Sequence, residues 1–175
     1  MSEYKQAILE SNTWLGGQER TIFVGYGLSK GRALGTLAGV PDEKIIECLV
    51  AENLMVGLSI GMSLTGKIPI VFIERMDFIL NALDAIVNHL SAAKKLSRGE
   101  FTPAMIIRVV VGNIKKPLFT GHVHTQDFSD ALEKMVDFPL IRLHDHKNIK
   151  DVYCAAYKRA QTGESTMLVE YKDYI

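Results

Sequence analysis

Cys48-Leu49-Val50-Ala51-Glu52-Asn53-Leu54-Met55-Val56-Gly57-Leu58 is an apolar run broken by a single carboxylate. Its first part, with the preceding residues, predicts a buried strand over 45–50. From Glu52 the pattern turns helical and runs to Leu64, where Gly66 supplies the stop. The next apolar run, 68–73, is again a buried strand, with Pro69 near its start. A strand–helix–strand unit whose strands are continuously apolar belongs to a parallel sheet covered on both faces.

The rest of the chain repeats that alternation. Ser2 caps a first helix with Tyr4, Ala7, Ile8 and Leu15 on roughly one face. A short β-rich run, 21–26, leads into a glycine-rich stretch, 25–39, closed by the turn signal Pro41-Asp42. Residues 78–93 predict a helix with Leu80, Leu83, Ile86, Val87 and Leu90 on one face. Residues 104–111 predict a strand covered on both sides, and 112–123 a loop. A short helix follows over 128–136 and a strand over 140–143. Asn148 caps a helix whose stripe is Ile149, Val152, Tyr153, Ala156, Tyr157 and Ala160, with Gly163 as its stop. A final strand covers 167–170. The expected fold is α/β, a three-layer α/β/α domain with a mostly parallel central sheet spanning 1–175.

Composition narrows the function classes. At 175 residues, 47% apolar and 23% charged, the chain buries a sizeable core as one domain. A formal net charge of zero gives no footprint for nucleic acid or an anionic membrane. The pairs Lys94-Lys95 and Lys115-Lys116 are short and read as a solvated helix end and a loop. Cys48 and Cys154 have no metal-ligand spacing and read as free, buried thiols, which suits a reducing cytoplasmic compartment. No signal peptide and no membrane-spanning run is legible.

Several residues carry two readings each. Glu52 is either a first-turn glutamate complementing the helix dipole or a functional carboxylate. Apolar surroundings shift the proton affinity of such a group, as proton-transfer chemistry requires. Glycine costs about 1 kcal/mol in a helix interior, so Gly57 and Gly61 imply close approach, by the chain's own sheet or by another subunit. Gly25-Tyr26-Gly27 with Gly31 has the flavour of a dinucleotide fingerprint, and Glu47 sits where it would meet a ribose, but the spacing is one residue too long. The pairs His122/His124 and His144/His146 have metal-binding spacing without a third ligand type. His124, at a loop–helix junction, is a proton donor or a helix-entry residue. Phe78 opens the helical stripe as a core residue.

Taken together, Ala51-Glu52-Asn53, the Gly/Ser helix to Thr65-Gly66-Lys67-Ile68-Pro69-Ile70, Asp77-Phe78 and Asn81-Ala82-Leu83-Asp84-Ala85-Ile86-Val87-Asn88 resemble the pyrimidine-binding domain of thiamine-diphosphate enzymes. The likeness is above all to the β subunit of 2-oxoacid dehydrogenases, within the transketolase-like family. It continues through Arg98-Gly99-Glu100-Phe101-Thr102-Pro103, the strand to Arg108, His124-Thr125-Gln126-Asp127-Phe128 and Leu168-Val169-Glu170-Tyr171-Lys172, and so covers essentially the whole chain.

The resemblance implies a role for three residues. Glu52 matches the glutamate that hydrogen-bonds N1′ of the cofactor's aminopyrimidine and so promotes loss of the thiazolium C2 proton. Phe78 matches an aromatic that stacks on the pyrimidine, and His124 a histidine near the reacting carbonyl. It also implies a cofactor, thiamine diphosphate, shared with a partner chain. The Gly-Asp-Gly segment that holds Mg²⁺ and diphosphate in such enzymes is absent from this sequence, as is the C-terminal domain of the dehydrogenase β subunit. Ala51 stands where a serine often precedes the glutamate, and 73–76 is more charged than its family counterpart. The expectation is a cytoplasmic pyrimidine-binding subunit of an α₂β₂ enzyme decarboxylating a 2-oxo acid, with no metal ligand of its own. The alternatives are transketolase-like two-carbon transfer between sugars, or a non-catalytic regulatory or scaffolding paralogue.

Overall fold

The computed structural model describes residues 1–117 and 121–174. Its core is a six-stranded sheet in which every strand pair is parallel. The strands are β1 (Thr21–Gly25), β2 (Ile45–Glu47), β3 (Ile68–Ile73), β4 (Ile106–Val111), β5 (Leu140–Arg142) and β6 (Thr166–Tyr171), in the order β2-β1-β3-β4-β6-β5. The helices are α1 (Glu3–Gly16), α2 (Glu52–Leu64), α3 (Ala93–Leu96), α4 (Ser129–Met135) and α5 (Ile149–Gln161).

Strand alternation divides the interior into two cores. Ile68, Ile70 and Phe72 of β3, with Ile106 and Val110 of β4, face α1 and α5 through Ile8, Leu15, Tyr153 and Ala156. Val71 and Ile73, with Ile107 and Val109, face Met55 and Val56 of α2, Ile86 and Leu132. β3 and β4 are buried throughout, as strands with helices on both faces must be. The three-layer α/β/α expectation holds.

A buried ion pair crosses the first core. Arg108, fully buried, donates through Nε and Nη2 to the two carboxylate oxygens of Glu170 at 2.8 and 3.2 Å. Tyr153 donates its hydroxyl hydrogen to Glu170 at 2.7 Å, and Thr36 Oγ1 accepts from Arg108 Nη2 at 3.1 Å. This network ties β4, β6, α5 and the glycine-rich segment together.

Four expectations need correction. The strand expected over 45–50 is only Ile45–Glu47, a half-exposed edge strand, and Leu49 and Val50 lie exposed beyond it. The helix expected over 78–93 is a 3₁₀ stretch, Met76–Ala82, then a π-helical stretch, Asp84–Ser91, before α3. The tighter 3₁₀ turn rotates Leu80 out of the apolar stripe, and it is exposed. Asn148 makes no side-chain cap; Asp145 caps the preceding 3₁₀ turn by accepting from the Lys147 N–H. Both cysteines are free but half-buried rather than buried. Of the loop expected over 112–123, residues 118–120 lie outside the described residues. Among the described residues no helix is long and apolar enough to cross a membrane.

Candidate active site

The order β2-β1-β3 places a topological switch point between β1 and β3. The chain leaves β1 outward to β2 and returns to the other side of β1 at β3. Ligands of open parallel sheets bind outside the carboxyl ends of the strands at such a point. Here Tyr26 follows the last residue of β1 and Glu74 the last residue of β3. The two strands lie close because Gly25 has no Cβ: one built there would meet the Phe72 carbonyl oxygen at 2.7 Å.

A cavity of about 200 Å³ opens at this crevice, lined by Tyr26, Glu52, Met55, Phe72, Glu74 and Phe78 among others. Glu52 is the first residue of α2 and is 5% exposed. Its position in the first turn suits the dipole reading, yet its carboxylate faces an apolar and aromatic cavity rather than solvent. Asn81 Nδ2 donates to Glu52 Oε2 at 3.4 Å, a long bond that leaves the carboxylate loosely partnered.

Phe78 is half-buried on the 3₁₀ stretch, against the second core and along the cavity wall. His124 stands edge-on to it, with ring centroids 5.3 Å apart and planes at 84°. The structure therefore brings Glu52, Phe78 and His124 to one end of the sheet. Gly112, just past β4, explains how His124 reaches this place. Its missing side chain makes room for the His124 backbone, whose carbonyl oxygen lies 1.7 Å from where a Cβ would stand. Asp77 Oδ1, next to Phe78, accepts from Gln126 Nε2 at 3.1 Å and ties the His124 segment to the 3₁₀ stretch.

A second cavity, about 130 Å³, adjoins the first and shares Tyr26, Phe72 and Glu74 with it; Gly27, Gly31 and Leu34 form its far wall. Glu74 pairs with the buried Arg75, whose Nη1 lies 3.4 Å from its carboxylate. Burial, and then the nearby Arg75 guanidinium, holds the Lys172 ammonium below its usual pKa.

The dinucleotide reading fails on geometry. Both oxygens of Glu47 are taken by backbone N–H groups of the glycine-rich loop, Gly27 at 2.5 Å and Ser29 at 2.6 Å, so the carboxylate braces the loop. No helix starts there; 26–40 is bends and turns. The His-x-His pairs also part company. His144 stacks on Tyr171 at 4.7 Å, His146 pairs with Glu3 at 3.1 Å, and His122 is exposed. Among the described residues no three His, Cys, Asp or Glu side chains stand together as metal ligands.

On α2, Met55, Val56 and Ser59 face the sheet, while nothing lies within 4 Å of a Cβ built at Gly57 or Gly61. The reading of these glycines as packing against the chain's own sheet is therefore overturned. With Leu54 and Leu58 they form an open apolar face next to the site. Sequence reasoning also passed over Tyr26, Met55, Phe72, Glu74 and Asn81 as site residues. The available signal was position: Tyr26 and Glu74 directly follow strands, and Asn81 lies one 3₁₀ turn beyond Phe78.

No family model matches the chain. It is similar to the pyruvate dehydrogenase E1 component subunit beta of Porphyra purpurea, with 36% identity over 117 residues, 67% of this chain and 34% of the relative. The subunit of that name from Cyanidium caldarium is 37% identical over 81 residues, 46% of this chain and 24% of the relative. That from Chlorokybus atmophyticus is 27% identical over 146 residues, 81% of this chain and 43% of the relative. The chain thus spans 24% to 43% of the length of these curated relatives. Among solved structures, a chain described as split gene transketolase, inactive beta4 tetramer, superposes with a TM-score of 0.73 at 17% identity, over 97% of this chain and 51% of that one.

Proposed function

We propose that this chain, whose fold is like that of a split gene transketolase chain, is the pyrimidine-binding subunit of a two-chain thiamine-diphosphate enzyme acting on a 2-oxo acid. The observation that carries the reading is the buried Glu52 carboxylate inside an aromatic cavity at the β1/β3 switch point. The relatives named as pyruvate dehydrogenase E1 β subunits support the substrate class.

The cavity suits an aminopyrimidine. Phe78 and Phe72 line it with aromatic surface suited to a flat heterocycle, and Met55 adds a soft apolar contact. Glu52 is the one acid on the wall that is both buried and without a cation beside it; the other, Glu74, is paired with Arg75. When bound, thiamine diphosphate supplies a carbon nucleophile and an electron sink for decarboxylation. This chain's part is acid–base and positional. Glu52, 5% exposed, would hold a proton against ring nitrogen N1′. Phe78 would hold the ring by stacking, and His124, edge-on to Phe78, would serve the substrate side as a hydrogen-bond donor. Diphosphate and Mg²⁺ are held by an α-type partner, so the cofactor lies across the subunit interface in an α₂β₂ assembly. The open face of Leu54, Gly57, Leu58 and Gly61 is the contact with another subunit, a second copy of this chain included.

Transfer of two-carbon units between sugars, in the same cofactor class, is a second reading. The split-gene transketolase neighbour favours it, as does Glu74, whose carboxylate on both cavities offers acceptors to hydroxyl groups. The deciding experiment is co-purification with a Gly-Asp-Gly-containing partner, followed by thiamine diphosphate binding and a substrate panel. Release of CO₂ from a 2-oxo acid supports the first reading. Ketol transfer without CO₂ supports the second. A complex that binds no thiamine diphosphate contradicts both.

A further inference from the structure

We infer that Asp77 is a positioning residue, which sets His124 edge-on to Phe78 through its hydrogen bond to Gln126. The inference deepens the proposed function and rests on it for its kinetic consequence. Asp77 is 7% exposed, an unusual place for a carboxylate that makes no ion pair among the described residues. Its Oδ1 accepts from Gln126 Nε2 at 3.1 Å, and its Oδ2 is buried with no hydrogen-bond partner among the described residues. That single bond therefore fixes the carboxylate's orientation.

The bond joins two segments at the point where the site needs them in register. Asp77 precedes Phe78 on the 3₁₀ stretch Met76–Ala82, and Gln126 follows His124 by two residues, just past the 3₁₀ turn Gly121–His124. Gly112 lets the His124 backbone come close but exerts no pull toward Phe78. The ring contact at 5.3 Å has no directional restraint of its own beyond its quadrupole preference. Asp77–Gln126 is thus a directional restraint between the segment that carries the imidazole and the one that carries the aromatic wall. A misplacement of about 1 Å in a reacting constellation costs on the order of 10²-fold in rate.

The test uses Gln126→Met, which removes the donor from an exposed position without touching the interior, together with Asp77→Ala and Asp77→Asn. Asparagine keeps an acceptor for Gln126 and serves as the rescue. In the reconstituted two-chain complex, Gln126→Met and Asp77→Ala lower kcat about tenfold to a hundredfold with KM within about twofold, and Asp77→Asn restores most of it. On this chain alone, NMR shows the ring-current shifts of the Phe78 and His124 protons collapsing in Gln126→Met and persisting in Asp77→Asn. Unchanged ring shifts in Gln126→Met, or unchanged kcat in an active complex, overturns the inference. A wild-type complex that turns nothing over, with ring shifts behaving as described, overturns the functional reading and leaves the positioning role standing.

Discussion

The His124 ring meets the Phe78 ring edge-on, with centroids 5.3 Å apart and planes 84° apart. One residue comes from the segment after β4 and the other from the segment after β3, so the pair closes the site across the top of the sheet. Under the proposed function the two side chains have separable tasks. Phe78→Ala removes the stacking wall and weakens thiamine diphosphate binding to the complex about tenfold, the scale of one aromatic contact. His124→Gln leaves cofactor affinity within about twofold and lowers kcat. Calorimetric titration and steady-state kinetics on the two variants check the split; equal effects on both quantities contradict it.

Gly57→Leu separates folding from assembly. A side chain there meets open space, and leucine is a better helix former than glycine by about 0.8–1 kcal/mol. The isolated chain should therefore melt about 2–4 °C higher or unchanged, while association with other subunits is lost on size-exclusion chromatography. A variant that is destabilised as a single chain, or that still assembles, argues against the open face as an interface.

Arg108→Met leaves the Glu170 carboxylate buried at 1% exposure with its cation gone. Breaking a buried pair from one side costs about 3–5 kcal/mol. Denaturant unfolding should show that loss for Arg108→Met, and much of it should return in the double variant Arg108→Met/Glu170→Leu. An unaffected single variant would show that the network contributes little.

The sheet and the long elements were legible because their determinants are local. The apolar run at 68–73 and the nearly all-apolar run at 104–111, broken only by Arg108, are satisfied between helical layers, and β3 and β4 are buried as read. Errors arose where burial is not local. Leu49 and Val50 are as apolar as any core residue, yet they lie exposed on this chain. A sequence does not distinguish burial inside a chain from burial between chains. The stretch after Phe78 keeps a helical pattern, but the pattern cannot report hydrogen-bond register, so the change from 3₁₀ to π was invisible. Glu47 shows the opposite failing. Its distance from the glycines matched a ribose-binding motif, while its carboxylate serves the loop's own N–H groups. In the site, Glu52 stood out by context and Phe78 only through the family resemblance, whereas Asp77 and Gln126 are far apart in sequence and become related only in the fold.

The most direct test of the central claim is the turnover of the two-chain complex carrying Glu52→Gln. Glutamine keeps the size of the side chain and a bond to Asn81, so fold, assembly and the melting temperature should hold. It cannot exchange a proton with the aminopyrimidine, so turnover should fall by at least about 10²-fold, the lower end of general acid–base contributions. A Glu52→Gln complex with wild-type activity would contradict the account.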